Sequence, residues 1–218
     1  MIKNIFFDLD GTLTDPKEGI TKSVAYALEY YGIHVDDLDK LIDFIGPPLW
    51  DSFKDFYGFD DEKANEAVAK YRERFCDIGL YENAVYDGIE HMLSSLKDKG
   101  YRLAVATSKP TIYSKKIVKH FKLDVYFEEV VGSEMDGTRV KKEDVISYAL
   151  ETLNMKAEET IMVGDRRQDI KGAIANNMRN VGVLFGYGSR EEFEQAGADY
   201  VVESVAELEE YLKGINEA

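Results

Sequence analysis

Asp8 and Asp10 flank Leu9 directly after the apolar run Ile5-Phe6-Phe7, and Gly11-Thr12 follow them. Side chains two apart on a strand project to the same side, so this spacing pairs two carboxylates at a strand end. Two carboxylates at the C-terminal edge of a parallel strand sit where open α/β sheets place ligands. Gly11 permits a sharp turn that brings backbone amides close to a bound anion. The pattern does not fit an EF-hand loop, because Gly11 comes only three residues after Asp8, too early for that motif's invariant glycine. A polar strand end that caps the next helix is the plain alternative.

Gly164-Asp165-Arg166-Arg167-Gln168-Asp169 repeats the arrangement after the apolar run Ile161-Met162-Val163. Asp165 stands at the strand exit, and Asp169 comes one turn later as a helix begins, where it also suits an N-cap. Two strands ending in aspartates, with no basic residue beside Asp8 or Asp10 in the chain, predict a self-repulsion that a divalent cation would relieve.

The elements that must position these groups are legible from periodicity. Short continuous apolar runs at Ile5–Phe7, Leu103–Ala106, Val130–Val131, Ile161–Val163, Val181–Leu184 and Tyr200–Val202 read as parallel strands buried on both faces. Helical patterns over Ile89–Lys99, Glu143–Leu153 and Val205–Leu212 alternate with them, the last opened by a capping box of Ser204 and Glu207. Repeated βα units predict an α/β fold, a doubly wound, Rossmann-like parallel sheet. From Pro16 to Asn83 the rhythm changes to helical periodicity alone, with Ile20, Val24, Ala27, Leu28 and Tyr31 on one helix and Ala64, Val68, Tyr71 and Phe75 on another. Residues 16–83 are therefore expected to form an inserted helical domain, and residues 1–15 with 84–218 the α/β core. Twelve of the 26 aromatic residues fall in the insert, where a small helical domain needs bulky side chains for its own core.

Composition bounds the chemistry. The chain has 218 residues, 44% of them hydrophobic, which is ample for a packed core. Its 27 basic and 42 acidic side chains leave a formal net charge of −15, which argues against binding nucleic acid or an anionic membrane surface. A small anionic substrate remains compatible where one cleft inverts the local potential. One cysteine, Cys76, excludes an internal disulfide and reads as a small buried hydrophobe, and three scattered histidines disfavour zinc. A bound metal should be a hard cation held by oxygens. No apolar run approaches a bilayer's width and no leader-type segment is visible, so a cytoplasmic location is expected.

Asp8-Leu9-Asp10-Gly11-Thr12, the strand ending in Thr107-Ser108-Lys109, the lysines at 141 and 142, and GDRRQD at 164–169 occur in the order found in the haloacid dehalogenase-like (HAD) hydrolase superfamily, which the whole chain resembles. The helical insert resembles the small cap of the subgroup that includes phosphoglycolate phosphatases.

The resemblance implies roles residue by residue. Asp8 would attack phosphorus and form an aspartyl-phosphate. Asp10 would protonate the departing alkoxide and then deprotonate the hydrolytic water. Mg²⁺ would be held by the Asp8 carboxylate, the Asp10 main-chain carbonyl and Asp165, with Asp169 supporting the metal from outside. Thr107 and Lys142 would contact the transferring phosphoryl oxygens, with Ser108 and Lys141 as their competitors. The departure is Glu143, which stands where the family usually has proline after this lysine. Gly11, Thr12, Ser108 and Lys109 are expected near the substrate phosphate. Gly46 belongs to the bend at 45–49 expected to select the leaving group, and Gly186-Tyr187-Gly188 is either a border of the cleft or a simple turn.

The resulting expectation is a Mg²⁺-dependent phosphomonoesterase acting on a small phosphate ester, as a monomer or homodimer. Phosphoglycolate leads, with a nucleoside monophosphate, another metabolite or an aryl phosphate as competitors. A phosphomutase shares the motifs, whereas a dehalogenase has no use for the second aspartate and a phosphonatase lacks it. A phosphoaspartate signalling receiver is the alternative from another class, disfavoured by the insert and by Asp10.

Overall fold

The computed structural model describes residues 1–217. In chain order the regular elements are β1 (Asn4–Phe7), β2 (Thr14–Asp15), α1 (Lys17–Glu29), α2 (Leu49–Tyr57), α3 (Asp61–Arg74), β3 (Ala84–Val85), α4 (Ile89–Asp98), β4 (Arg102–Pro110) and α5 (Thr111–His120). There follow β5 (Val130–Ser133), α6 (Lys142–Leu153), β6 (Thr160–Gly164), α7 (Arg167–Ala175), β7 (Arg179–Val183), α8 (Arg190–Ala196), β8 (Tyr200–Val202) and α9 (Val205–Gly214). The chain divides into two compact units, Met1–Thr14 with Val85–Ala218, and Asp15–Ala84. Among the described residues no helix is long and apolar enough to cross a membrane.

The larger unit holds a six-stranded sheet in the order β5-β4-β1-β6-β7-β8, parallel throughout. This is the doubly wound α/β architecture. The chain builds outward from β1 to β5, then returns to β6 on the other side of β1, so the strand order reverses at β1. Open α/β sheets bind ligands at the carboxyl ends of strands flanking such a reversal. In register, Phe7 pairs with Val105 on one side and Val163 on the other, so β1 and β6 finish near one level while β4 runs on beyond it.

Helix packing then fixes what projects from that edge. Phe6, Ala104, Ala106 and Met162 of the sheet share a buried cluster with Val145, Ile146 and Ala149 of α6 and Ala173 of α7. Burying each of the larger aliphatic side chains contributes roughly 1.5–3 kcal/mol, so the start of α6 is held firmly over the strand ends. β4 continues three residues past Thr107, and its register with β5 shifts between Ala106 and Pro110. That irregularity carries Thr107, Ser108 and Lys109 beyond the level where β1 ends.

The smaller unit is helical. Ala27 and Leu28 of α1 and Ala64, Ala67 and Tyr71 of α3 are buried in it. Phe53 stacks on Phe59, and Phe44 meets Phe53 edge-on, so these aromatics are core, while Phe56 is exposed. Arg74 grips Glu82 through two hydrogen bonds of 2.7 and 2.9 Å, and Lys22 adds a third at 3.2 Å. Sequence periodicity does not reveal α2 or the 3-10 turn Leu38–Phe44 before it. Pro48 is the N-cap of α2, and Gly58 closes the helix in the left-handed conformation.

Three local expectations need correction. Asp169 is not the N-cap of α7. Arg166 is, and Asp169, at the third helical position, accepts the Arg166 amide at 3.0 Å. Glu207 likewise accepts the amide of Glu203, at 2.8 Å, so the box with Ser204 is only half made. Cys76 is half-buried, within a π-helical turn after α3, rather than sealed in the core.

Candidate active site

Asp8 follows β1 immediately and extends its pairing, donating its amide to the Val163 carbonyl at 2.9 Å. The Leu9 carbonyl then accepts the amides of Leu13 and Thr14, at 2.9 and 3.0 Å, and folds the chain into a tight turn. Gly11 makes that turn at φ +81°, and a Cβ there would stand 2.0 Å from Asp165 Oδ2. Only glycine lets the two acidic strand ends approach this closely. Asp8, Asp10, Asp165 and Asp169 are all buried.

Lys142, the first residue of α6, is buried among these acids. Its ammonium lies 2.8 Å from Asp8 Oδ1, 2.7 Å from Asp169 Oδ1 and 3.0 Å from the Ala106 carbonyl. Lys141, the N-cap of that helix, is exposed. On the other flank Lys109 donates to Asp10 Oδ2. Neither lysine is near its aspartate in the chain, so the basic partners that Asp8 and Asp10 lack among their sequence neighbours come from distant segments. Among the described residues, four carboxylates here meet the ammonium groups of Lys109 and Lys142, with the Arg166 charge also acting on Asp165.

Thr107 is buried, and its hydroxyl accepts the Lys109 amide at 3.3 Å. The carbonyl of Ser108 accepts the Ser133 hydroxyl at 2.8 Å. Thr12 is buried with its hydroxyl turned to Asp165 Oδ1, at 3.4 Å. Gly46 lies in the helical unit, at φ +105° in the bend that leads into α2.

Electrostatics follow from burial and charge crowding. Burial, reinforced by the Asp169 and Asp8 carboxylates, raises Asp165 well above the usual carboxylate range. Burial also raises Asp10, against the opposing pull of Lys109. Asp169 is pushed up to about 6 by burial, with Lys142 opposing. For Lys142, burial favours the neutral amine, but Asp169 and Asp8 outweigh it and hold the ammonium above its ordinary range.

One carboxylate oxygen from each of Asp8, Asp165 and Asp169 lies within 4.8 Å of the others. This donor set is all oxygen, buried and short of positive charge, which fits a hard divalent cation such as Mg²⁺. Asp10 is outside the trio because its carboxylate is turned to Lys109, so a contribution to a metal would fall to its main-chain carbonyl.

Sequence reasoning left the Gly186-Tyr187-Gly188 segment open, and the structure makes it part of the site. The Tyr187 amide donates to Asp165 Oδ2 at 2.9 Å. A Cβ on Gly186 would stand 2.2 Å from the Gly11 carbonyl and 2.4 Å from Asp165 Cβ. The signal was available as two glycines shortly after a strand, but the carboxylate that the Tyr187 amide reaches lies 22 residues back in the chain.

A doubly wound sheet with aspartates at the ends of two adjacent central strands, and a buried lysine bridging two of the acids, defines an α/β protein with an aspartate-centred site at its strand edge. The chain belongs to the haloacid dehalogenase-like hydrolases, whose family model matches residues 5–183. A 5'-nucleotidase of Pseudomonas aeruginosa is 47% identical over 210 residues, covering 96% of this chain and 95% of that protein. The tyrosine-protein kinase PtkA of Mycobacterium tuberculosis is 38% identical over 211 residues, 97% of this chain and 72% of that protein. The crystal structure of a predicted phosphatase from Clostridium acetobutylicum superposes with a TM-score of 0.94 at 54% identity, over 100% of both chains.

Proposed function

We propose that this chain is a Mg²⁺-dependent phosphomonoesterase that works through an aspartyl-phosphate on Asp8. The observation carrying this reading is the convergence of Asp8, Asp10, Asp165, Asp169 and Lys142 from separate elements onto one strand edge.

Asp8 is the nucleophile. Lys142 holds its Oδ1, which leaves Oδ2 for attack on phosphorus. Lys142 and the Thr107 hydroxyl also serve the equatorial phosphoryl oxygens, where negative charge spreads in the transition state. Asp10 gives a proton to the departing oxygen and takes one from the water that hydrolyses the acyl phosphate. Its raised proton affinity suits the acid role. Asp8, Asp165 and the Asp10 main-chain carbonyl would hold Mg²⁺, with Asp169 behind them. When bound, the cation offsets the repulsion between anionic nucleophile and anionic ester. Gly11, Thr12, Ser108 and Lys109 surround the phosphate position.

For the leaving group, a nucleoside monophosphate is favoured over phosphoglycolate, because a relative 47% identical over nearly the whole chain is named a 5'-nucleotidase. Selection among esters is assigned to the helical unit, with Gly46 in its bend. Domain boundaries near residues 15 and 84, a cytoplasmic location and a monomeric or homodimeric state belong to the same reading.

The test is steady-state phosphate release across a panel of nucleoside and metabolite phosphates, with Asp8→Asn as the paired control. Asp8→Asn should lose more than about a thousandfold in kcat while remaining folded by circular dichroism. Undiminished turnover in that variant sinks the nucleophile assignment. Single-turnover behaviour would indicate a receiver, and an isomerised product without free phosphate a mutase.

A further inference from the structure

Asp10 is held asymmetrically. Its Oδ2 accepts from the Lys109 ammonium, while its Oδ1 is buried with no hydrogen-bond partner. Both side chains are nearly sealed from solvent, at 7% and 12% exposure for Lys109 and Asp10, so neither samples orientations freely. Leaving a buried carboxylate oxygen unpaired costs about 1–3 kcal/mol. Such a cost is commonly retained where a reacting group completes the bonding. Lys109 reaches Asp10 because β4 continues past its register shift, and its own amide is pinned by the Thr107 hydroxyl at 3.3 Å. Backbone and ammonium are thus fixed at opposite ends of the lysine.

We propose that Lys109 is a positioning residue that locks Oδ2 of Asp10 and thereby presents Oδ1 to the leaving-group oxygen, which fits the site to esters of aliphatic alcohols. This rests on the reading of Asp10 as the proton donor. As the Asp8 oxygen bonds to phosphorus, the ester P–O bond breaks and its electron pair goes to the leaving oxygen. The proton on Asp10 Oδ1 passes to that oxygen, so an alcohol departs. In the second half, water adds to phosphorus, Oδ1 takes its proton, and the aspartyl P–O bond breaks to free inorganic phosphate. An alkoxide is a strong base and needs this proton. A nitrophenolate is a weak base and leaves almost without it. Orienting the donor therefore matters in proportion to leaving-group basicity.

The experiment compares p-nitrophenyl phosphate with a primary alkyl ester, adenosine 5'-monophosphate, in the full chain with Mg²⁺. Lys109→Met should lower kcat for the alkyl ester at least about tenfold more than for the aryl ester. Lys109→Arg should recover part of that difference. In an Asp10→Asn background, Lys109→Met should add no further leaving-group dependence, because the group it positions is gone. Should Lys109→Met not fold, Lys109→Gln removes the ammonium and shortens the side chain while keeping a polar end, and supports the same comparison.

Equal losses on both esters, or a raised KM with kcat intact on both, would make Lys109 a structural or phosphate-binding residue and overturn the proposal. If Asp10→Asn shows the leaving-group dependence and the Lys109 variants do not, the positioning role alone fails. If Asp10→Asn shows none, the proton-donor reading fails and takes this proposal with it.

Discussion

Lys142 and Asp8 are 134 residues apart in the chain and 2.8 Å apart in space, ammonium to carboxylate. The same ammonium reaches Asp169 at 2.7 Å, so one side chain from the start of α6 braces acids from β1 and α7.

Removing the brace should unbalance the acids. Lys142→Met leaves Asp8 and Asp169 buried without their cation, and breaking one side of a buried pair typically costs about 3–5 kcal/mol. Thermal unfolding should show a large drop in Tm, and phosphate release should fall with it. Lys141→Met, at an exposed position, should change neither appreciably.

Cation binding should stabilise the folded chain by mass action. At a hundredfold excess over Kd, Mg²⁺ should add about 2.7 kcal/mol, read as a rise in Tm with concentration. Asp165→Asn removes one of the three clustered donors and should flatten that rise. A Tm response surviving intact in Asp165→Asn would place the cation elsewhere.

Gly11→Ala tests whether the close approach is needed. The new methyl would meet Asp165 within van der Waals distance, at a positive φ that disfavours it. A loss of about 1–3 kcal/mol is expected, together with a weakened Mg²⁺ response, since Asp165 must move.

The helical unit carries its own pH signature. Hydrogen bonding from Arg74, ahead of the opposing effect of burial, lowers Glu82 below its unfolded value of 4.5. A depressed carboxylate contributes stability above the unfolded value, and loses it as pH falls through the folded one. Glu82→Gln should lower stability by about 1 kcal/mol at neutral pH, and the gap to wild type should close below pH 4.5. Urea unfolding of both proteins across the acid range checks it.

Substrate choice should respond to the bend at 45–49. Leu49→Ala should alter the ratio of kcat/KM between adenosine 5'-monophosphate and phosphoglycolate by several-fold, through contacts worth about 1–3 kcal/mol. An unchanged ratio removes this bend from selectivity.

Local pattern alone determined much of this protein. Continuous apolar runs specified buried parallel strands, and alternation with helical periodicity specified the doubly wound sheet, because burial on two faces leaves few other arrangements. Asp8, Asp10, Asp165 and Asp169 stood out because carboxylates at strand ends follow from spacing that the chain itself displays. What local pattern could not contain was charge pairing between distant segments. Lys109 and Lys142 meet Asp10 and Asp8 only once β4, α6 and β1 are packed side by side, since ion pairing depends on distance through space and not along the chain. Helix α2 was hidden for the opposite reason, because nine residues between two breakers show too few turns for a period to emerge. The Tyr187 amide on Asp165 is a backbone contact made by fold alone. No side-chain identity at position 187 announces it.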